Sequence, residues 1–194
     1  MIRTGSIVLW LGLIVTGISD INLYTASPGK SDEAVSSCPK DSLIEANIDA
    51  SHLLVFVHPH RPCSRSTVRE LEQVLVMAPQ IQATFVVFSD QDDNSSWHKS
   101  ELVNHAGQLA AVHVDQDGQE ARRFGVRTSG HAMLFAADGK CLFGRGVTIG
   151  RSHEGDSPGK LVLIDALLEQ GTADRMDRNF AASGCPVQRA EEEG

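Results

Sequence analysis

Short apolar runs separated by polar loops begin near residue 50, and the first of them leads directly into a helical pattern. The run at residues 53–57 reads LLVFV, which is typical of a strand buried on both faces. Apolar positions then recur at helical spacing from Val68 until Ala78 and Pro79 end the pattern, and Pro62 suits the first position of such a helix. This part of the chain therefore predicts a strand, a polar loop and an amphipathic helix.

The later runs predict further strands and helices in alternation. Strands are expected at residues 83–88, 111–114, 132–135 and 141–144, and helices at residues 96–107, 119–124 and 157–171. Asp138 and Gly139 join the last two strands as a hairpin. The last helix is expected to bury Leu161, Ile164, Leu167 and Leu168. This order predicts an α/β fold, with a central mixed sheet between two layers of helices.

An uncharged apolar stretch at residues 7–18 follows Arg3 and is interrupted by Asp20. Counted from Gly5 to Tyr24, the segment approaches the length needed to cross hydrocarbon, which indicates an uncleaved membrane anchor, with a signal peptide as the alternative. Arg3 keeps the N-terminus cytoplasmic and places the rest of the chain outside the membrane. The predicted division is an anchor or signal segment at 1–26, a linker at 27–48, a folded domain at 49–172 and a tail at 173–194.

Length, hydrophobic content and net charge indicate one folded domain and exclude one class of partner. The chain has 194 residues, 41% of them hydrophobic, which suits one folded domain with flanking segments. Its formal net charge is −8 without a compensating basic block, so duplex DNA or RNA would be repelled and no nucleic-acid partner is expected.

Four cysteines, Cys38, Cys63, Cys141 and Cys185, lie far apart, without C-x-x-C or zinc-finger spacing. Their complete pairing in an oxidising compartment is left open by the sequence. Cys63 is the candidate nucleophile, because a helix N-terminus flanked by Arg61 and Arg65 favours thiolate. The alternative is a structural Cys63, either buried or bonded to Cys185. Cys141 is expected to pack as a small hydrophobic residue.

The second half of the domain resembles that of a thioredoxin, because Phe124-Gly125-Val126-Arg127 is followed by a short loop and an apolar strand. Gly130 of this chain stands where thioredoxins have a cis-proline. The resemblance covers roughly residues 50 to 170. Aligned without gaps on the W-C-x-x-C-R motif, Arg65 matches the basic residue, whereas Arg61 and Ser64 fall on the two cysteines. The resemblance implies a thioredoxin-like three-layer fold and a site that lacks the dithiol.

The motifs are also similar to those of RedB-like proteins, which are membrane-anchored bacterial thioredoxin-like proteins. The matching segments are His58-Pro59, Pro62-Cys63-Ser64-Arg65, Glu120-Ala121, Phe124-Gly125, Thr128-Ser129-Gly130, Gly146-Val147-Thr148, His153-Glu154-Gly155-Asp156 and Gly184-Cys185-Pro186. Arg61 stands where that family has the first cysteine of C-P-C. The resemblance implies a single-pass inner-membrane protein with a periplasmic domain. It implies location and fold more than chemistry. The predicted thiol chemistry at Cys63, Ser64 and Arg65, with protein thiols or another extracytoplasmic protein as partner, rests on the place of Cys63 at the helix N-terminus.

Metal binding is a second hypothesis for the same loop. His58, His60, Cys63 and His131 combine imidazoles with a thiolate, a set that suits copper or zinc. Further ligands are available at His153, Glu154 and Asp156, although these residues are equally suited to a loop that caps a helix at Ser157.

A third hypothesis assigns no chemistry to the domain. An anchored module that has lost its dithiol and binds a partner protein at the membrane accounts for Arg61 and Ser64 without a new mechanism.

Overall fold

The computed structural model of the chain describes residues 2–26, 35–44, 50–90, 100–148 and 154–168. The helices are α1 (Ile2–Ala26), α2 (Pro62–Met77), α3 (Glu101–Leu109), α4 (Gln119–Arg123) and α5 (Pro158–Leu168). The strands are β1 (His52–Val57), β2 (Gln82–Ser89), β3 (Ala111–Gln116), β4 (His131–Phe135) and β5 (Cys141–Gly146). The predicted strands are confirmed, each within two residues at either end.

The strands form one mixed sheet in the order β3-β2-β1-β4-β5. The three strands β1, β2 and β3 run parallel, and β4 is antiparallel to both β1 and β5. Every residue of the central strand β1 is buried, as its continuous apolar run predicts. The loop that follows β1 therefore starts from the most rigid part of the domain.

Each face of the sheet has its own hydrophobic core. On one face, side chains of α2, α3 and α5 pack against alternate residues of β1, β2 and β4. On the other face, Ala121, Phe124 and Val126 of the α4 region pack against Phe56 and Met133. The structure thus confirms the three-layer arrangement of helices, sheet and helices.

Helix α2 begins where the sequence predicts. Arg61 is its N-cap residue, Pro62 is its first residue, and the helix ends before Ala78. Val68, Leu71 and Val74 face the core. Val76, predicted to be part of the apolar face, is 76% exposed.

The C-terminal end of α3 differs from the prediction. Ser100 caps the helix, because its side chain accepts a hydrogen bond from the Val103 N–H at 3.2 Å. The predicted start at Ser96 lies outside the described residues. Gly107 does not end the helix, which continues to Leu109 because that side chain packs against the core.

The predicted apolar face of α5 is confirmed for Leu167, which is buried, and for Ile164, which packs against the core, and is wrong for Leu161 and Leu168. Leu161 and Leu168 are 53% and 68% exposed, whereas Lys160, Leu163, Ala166 and Leu167 are buried. The apolar residues of α5 are distributed around the whole helix, so their spacing does not define one apolar face. The orientation is decided by tertiary contacts, in which Lys160 pairs with a buried carboxylate of α2.

Residues 35–44, which fall within the predicted linker, pack on the sheet. Ser37 forms an antiparallel bridge with Lys140, and the Ile44 side chain is buried in the core on the α4 side. The Glu120 carboxylate accepts hydrogen bonds from the Ser42 hydroxyl and the Leu43 N–H. This segment is therefore held by specific contacts with the domain.

Helix α1 contains the apolar stretch predicted from the sequence. Among the described residues, its segment Gly5–Leu23, with a mean hydropathy of 1.7, is long and apolar enough to cross a membrane. Its side chains are exposed. By length and composition, this helix is a candidate membrane span or signal segment.

Candidate functional site

The loop between β1 and α2 is held by local hydrogen bonds. The His58 N–H donates to the Ser64 hydroxyl at 2.8 Å, and the Arg61 N–H donates to the His58 carbonyl at 3.1 Å. The His60 N–H also donates to Nδ1 of His58, at 3.3 Å. These bonds fold the loop back onto the first turn of α2.

Cys63 is the second residue of α2, so the predicted place at a helix N-terminus is confirmed. Its side chain is only 2% exposed, while His60, Arg61 and Arg65 around it are exposed. The Cys63 carbonyl accepts a hydrogen bond from the Thr67 hydroxyl at 3.1 Å. The thiol is therefore buried at a helix N-terminus whose neighbouring basic residues are exposed, and its predicted role as a nucleophile stays a prediction.

Ser64 and Arg65, the other predicted catalytic residues, have different surroundings. Ser64 is fully buried and its hydroxyl is occupied by the His58 N–H. Arg65 points to the surface and forms no ion pair with the residues described. In this arrangement Ser64 shapes the loop, and only Arg65 is placed to meet a partner.

The loop before β4 packs against this same turn of α2. The Gly130 N–H donates to the Phe56 carbonyl at 2.8 Å, and Gly130 has a φ of +88°. A Cβ atom at Gly130 would lie 2.6 Å from the Thr67 hydroxyl, one turn below Cys63. Glycine is therefore required here both by the backbone conformation and by the close approach to α2.

Two buried histidines lie on the sheet face opposite α2. Phe56 pairs with His131 across β1 and β4, and the His58 ring stacks on Phe88 with centroids 5.1 Å apart. Burial, the nearby charge of Arg61 and the charge of His60 lower the pKa of His58 from 6.5 to about 4. Both imidazoles are therefore placed in the apolar core on the α4 side of the sheet.

His131 is the more unusual of the two. Its side chain is buried, and neither ring nitrogen has a hydrogen-bond partner among the described residues. Burial lowers the pKa of His131 from 6.5 to about 4. The ring is thus a neutral, unpaired polar group inside an apolar core.

The predicted metal ligands are not assembled into a site. The part of the chain that the structure describes, which includes His58, His60, Cys63 and His131, holds no group of three or more ligand side chains suited to a metal ion. The reason is the alternation of β4, which directs Ala132 towards α2 and His131 towards the opposite core. Cys63 belongs to the helix layer on the α2 side, so copper or zinc binding by this set is not supported.

The loop at residues 154–157 is structural in this arrangement. The Ser157 hydroxyl accepts a hydrogen bond from the Lys160 N–H and donates to the Val147 carbonyl, which confirms the predicted cap. The Gly155 N–H donates to the Glu70 carboxylate of α2, and Arg69 pairs with Glu154. The loop therefore docks on α2. His153 lies outside the described residues.

A buried ion pair of the same region was not predicted from the sequence. Lys160 Nζ lies 2.7 Å from the Glu70 carboxylate and 2.8 Å from Oε1 of Gln73. The available signal was the position of Glu70, which falls on the apolar face of α2 between Thr67, Leu71 and Val74. The pair links α2 to α5 beneath the docked loop.

Among the described residues, Cys38, Cys63 and Cys141 form no disulfide bond with one another. Cys141 is half-buried and packs against the core on the α4 side, and its thiol lies 3.2 Å from the Phe143 carbonyl. Burial and the nearby charge of Glu120 raise the pKa of Cys38. The predicted alternative of a bond between Cys63 and Cys185 falls outside the described residues.

No family model matches the chain, and no curated protein matches it. A solved structure of a hypothetical protein from Sinorhizobium meliloti is 12% identical, covers 83% of this chain and 98% of its own, and superposes with a TM-score of 0.62. An uncharacterised conserved protein from Geobacillus kaustophilus is 16% identical, with coverage of 84% and 92% and a TM-score of 0.60.

A thioredoxin-like protein from Aeropyrum pernix is 13% identical and covers 71% of this chain and 89% of its own. Its TM-score is 0.49, and no conclusion is based on it. At these identities the two closer likenesses concern the fold alone. The mixed sheet has its antiparallel β4 beside the central β1, a cysteine-bearing helix follows β1, and the Gly130 loop adjoins that helix. The chain therefore has a thioredoxin-like fold.

Proposed function

We propose that the protein is a membrane-anchored, extracytoplasmic thioredoxin-like protein of the RedB type, whose thiol chemistry uses the single cysteine Cys63. The observation that carries this proposal is the position of Cys63 in the first turn of α2, directly after the central strand and beside the Gly130 loop. The motif resemblance supports the same assignment. Arg61 and Ser64 supply no second thiol, so the chemistry differs from that of a dithiol protein.

The reaction would be a thiol–disulfide exchange. The Cys63 thiolate attacks a disulfide R–S–S–R, forms the mixed disulfide Cys63–S–S–R and releases R–S⁻. A second, external thiolate then attacks the mixed disulfide and restores the Cys63 thiolate. Because the thiol is buried, the segment at Arg61 and Pro62 has to move before attack. The Ser64–His58 hydrogen bond is the local restraint on that movement.

Adduct mapping tests this proposal. The reduced full chain in a non-ionic detergent is incubated with oxidised glutathione, and the modified cysteine is identified by intact mass and peptide mapping. We expect one adduct, located at Cys63, that persists in Cys38→Ser and Cys141→Ser and is lost in Cys63→Ser. An adduct that survives Cys63→Ser with undiminished yield would overturn the assignment.

Slow turnover is the second expected property. Without a neighbouring thiol, release of the mixed disulfide is intermolecular, so the protein should reduce a protein disulfide far more slowly than a dithiol thioredoxin does. Arg61→Cys, which introduces a second thiol near Cys63, should raise this activity. Turnover equal to that of a thioredoxin, and lost in Cys63→Ser, would contradict the single-cysteine mechanism.

The proposed location rests on α1 and Arg3. An apolar segment of this length and hydropathy, with Arg3 before it in the chain, supports a single-pass inner-membrane protein with its domain in the periplasm. A reporter fused after Gly194 should be active on the outer side of the membrane. Activity confined to the cytoplasm would exclude this orientation.

A second candidate function is a binding module without chemistry, and the burial of Cys63 favours it. The thiol labelling rate separates the two functions. If native Cys63 reacts with iodoacetamide only as fast as the protein unfolds, the loop does not open and the binding module is the better assignment. Labelling well above the unfolding rate supports thiol exchange.

A further inference from the structure

The surface at the N-terminus of α2, the helix that holds Cys63, carries unusually placed positive charge. Arg61 and Arg65, together with His60, are exposed at the start of α2, and we call these three residues the cationic rim. No aspartate or glutamate occurs from residue 51 to residue 69, although the chain as a whole has a net charge of −8. The rim is therefore a local positive region on an acidic protein.

Arg61 and Arg65 differ from three other basic side chains in having no ion pair among the described residues. Arg69 pairs with Glu154, Arg123 with Asp41 and Lys160 with Glu70. In contrast, neither Arg61 nor Arg65 forms an ion pair with any residue that the structure describes.

The helix geometry makes this placement unfavourable for stability alone. The N-terminus of a helix carries partial positive charge and prefers acidic residues and side-chain caps. The first turn of α2 contains no acidic residue, and its N-cap Arg61 provides no capping hydrogen bond. The start of α2 therefore carries a charge arrangement that costs stability, and no ion pair among the described residues compensates for it, which favours a role in binding.

We propose that the cationic rim binds acidic peptide segments of the partner protein and so brings the partner's sulfur to Cys63. The reaction of the partner's sulfur with Cys63 rests on the proposed function. Binding of the acidic segment requires only the cationic rim. Two guanidinium groups spaced by one helical turn can engage two carboxylates of an extended or helical segment. The partner class is thus an acidic thiol or disulfide protein segment.

Matched peptides test the charge preference. Two synthetic peptides carry one cysteine as a 2-thiopyridyl disulfide, flanked either by four glutamates or by four lysines. Each reacts with the full chain in a non-ionic detergent, with Cys38, Cys141 and Cys185 replaced by Ser in every variant, and the release of 2-thiopyridone reports attack by Cys63. At low salt the glutamate peptide should react about tenfold faster, and the ratio should approach one at high salt.

Charge variants assign the preference to the rim. The double variant Arg61→Glu and Arg65→Glu should reverse the ratio, whereas Arg122→Glu, an exposed arginine of α4, should leave it unchanged. Equal rates for the two peptides in the wild type, or an equal effect of Arg122→Glu, would overturn the inference while thiol exchange at Cys63 stands.

A cysteine-free glutamate peptide separates recognition from chemistry. Its binding to the Cys63→Ser protein is followed by fluorescence anisotropy. If this peptide binds through Arg61 and Arg65 but no disulfide peptide reacts at Cys63, the rim is confirmed and the proposed function fails. If neither the disulfide peptides nor the cysteine-free peptide distinguishes charge, the rim has no role in recognition.

Discussion

Replacing His131 with leucine should make the protein less sensitive to acid without loss of stability at neutral pH. The ring is buried in an apolar core, and neither nitrogen has a hydrogen-bond partner among the described residues. Removing an unpaired buried polar group relieves a desolvation cost of about 1–3 kcal/mol. His131→Leu should therefore be at least as stable as the wild type at pH 7.5.

The acid response follows from the lowered pKa. Because the pKa of His131 is about 4 in the folded chain and 6.5 in the reference state, protons bind the unfolded chain first as the pH falls. The stability associated with the neutral ring is complete above pH 6.5 and is lost progressively towards pH 4. Between pH 7.5 and 4.5 this loss is about 2.5 kcal/mol. His58, whose pKa is also about 4, adds a comparable loss in both proteins.

Chemical denaturation at the two pH values measures the difference. The free energy of unfolding of the full chain in a non-ionic detergent is determined by circular dichroism for wild type and His131→Leu. We expect the variant to lose about 2–3 kcal/mol less than the wild type between pH 7.5 and 4.5. His113→Leu, at a half-buried histidine of β3, controls for removal of an imidazole. Equal pH dependence in wild type and His131→Leu, or a variant destabilised at pH 7.5, would refute this reasoning.

The remaining predictions concern folding stability measured by urea denaturation at neutral pH. Glu70→Gln should cost about 3 kcal/mol because buried Lys160 loses its close counter-charge and keeps only the exposed Asp156 carboxylate at 3.8 Å, and adding Lys160→Met should recover part of that loss; a cost below about 1 kcal/mol would contradict it. Ser64→Ala should cost about 1–3 kcal/mol by leaving the His58 N–H unpaired, so an unchanged midpoint argues against that bond. Gly159→Ala should cost about 1–3 kcal/mol because its Cβ overlaps the Gly146 carbonyl, whereas the helical control Gly107→Ala, with only an ordinary contact, should be neutral or stabilising.

Much of the fold was predictable because its signals are local. The apolar run of β1, the Asp138-Gly139 hairpin and Pro62 at the first position of α2 depend on neighbouring residues, and the structure confirms all three. The position of Cys63 at the helix N-terminus follows from the same short stretch. Ser157, predicted as a possible cap, also bonds within its own first turn.

Other features depend on residues far apart in the chain, and the tertiary structure alone decided them. The face of α5 is selected by the Glu70–Lys160 pair, because apolar residues surround that helix and give no preferred side. The predicted metal ligands are not brought together among the described residues, because the alternation of β4 places His131 on the sheet face opposite α2. The burial of Cys63 likewise depends on how α2 meets the sheet. The sequence by itself determined which elements form and where the cysteine lies along them, whereas long-range packing determined which side chains meet, because that depends on sheet register and helix orientation.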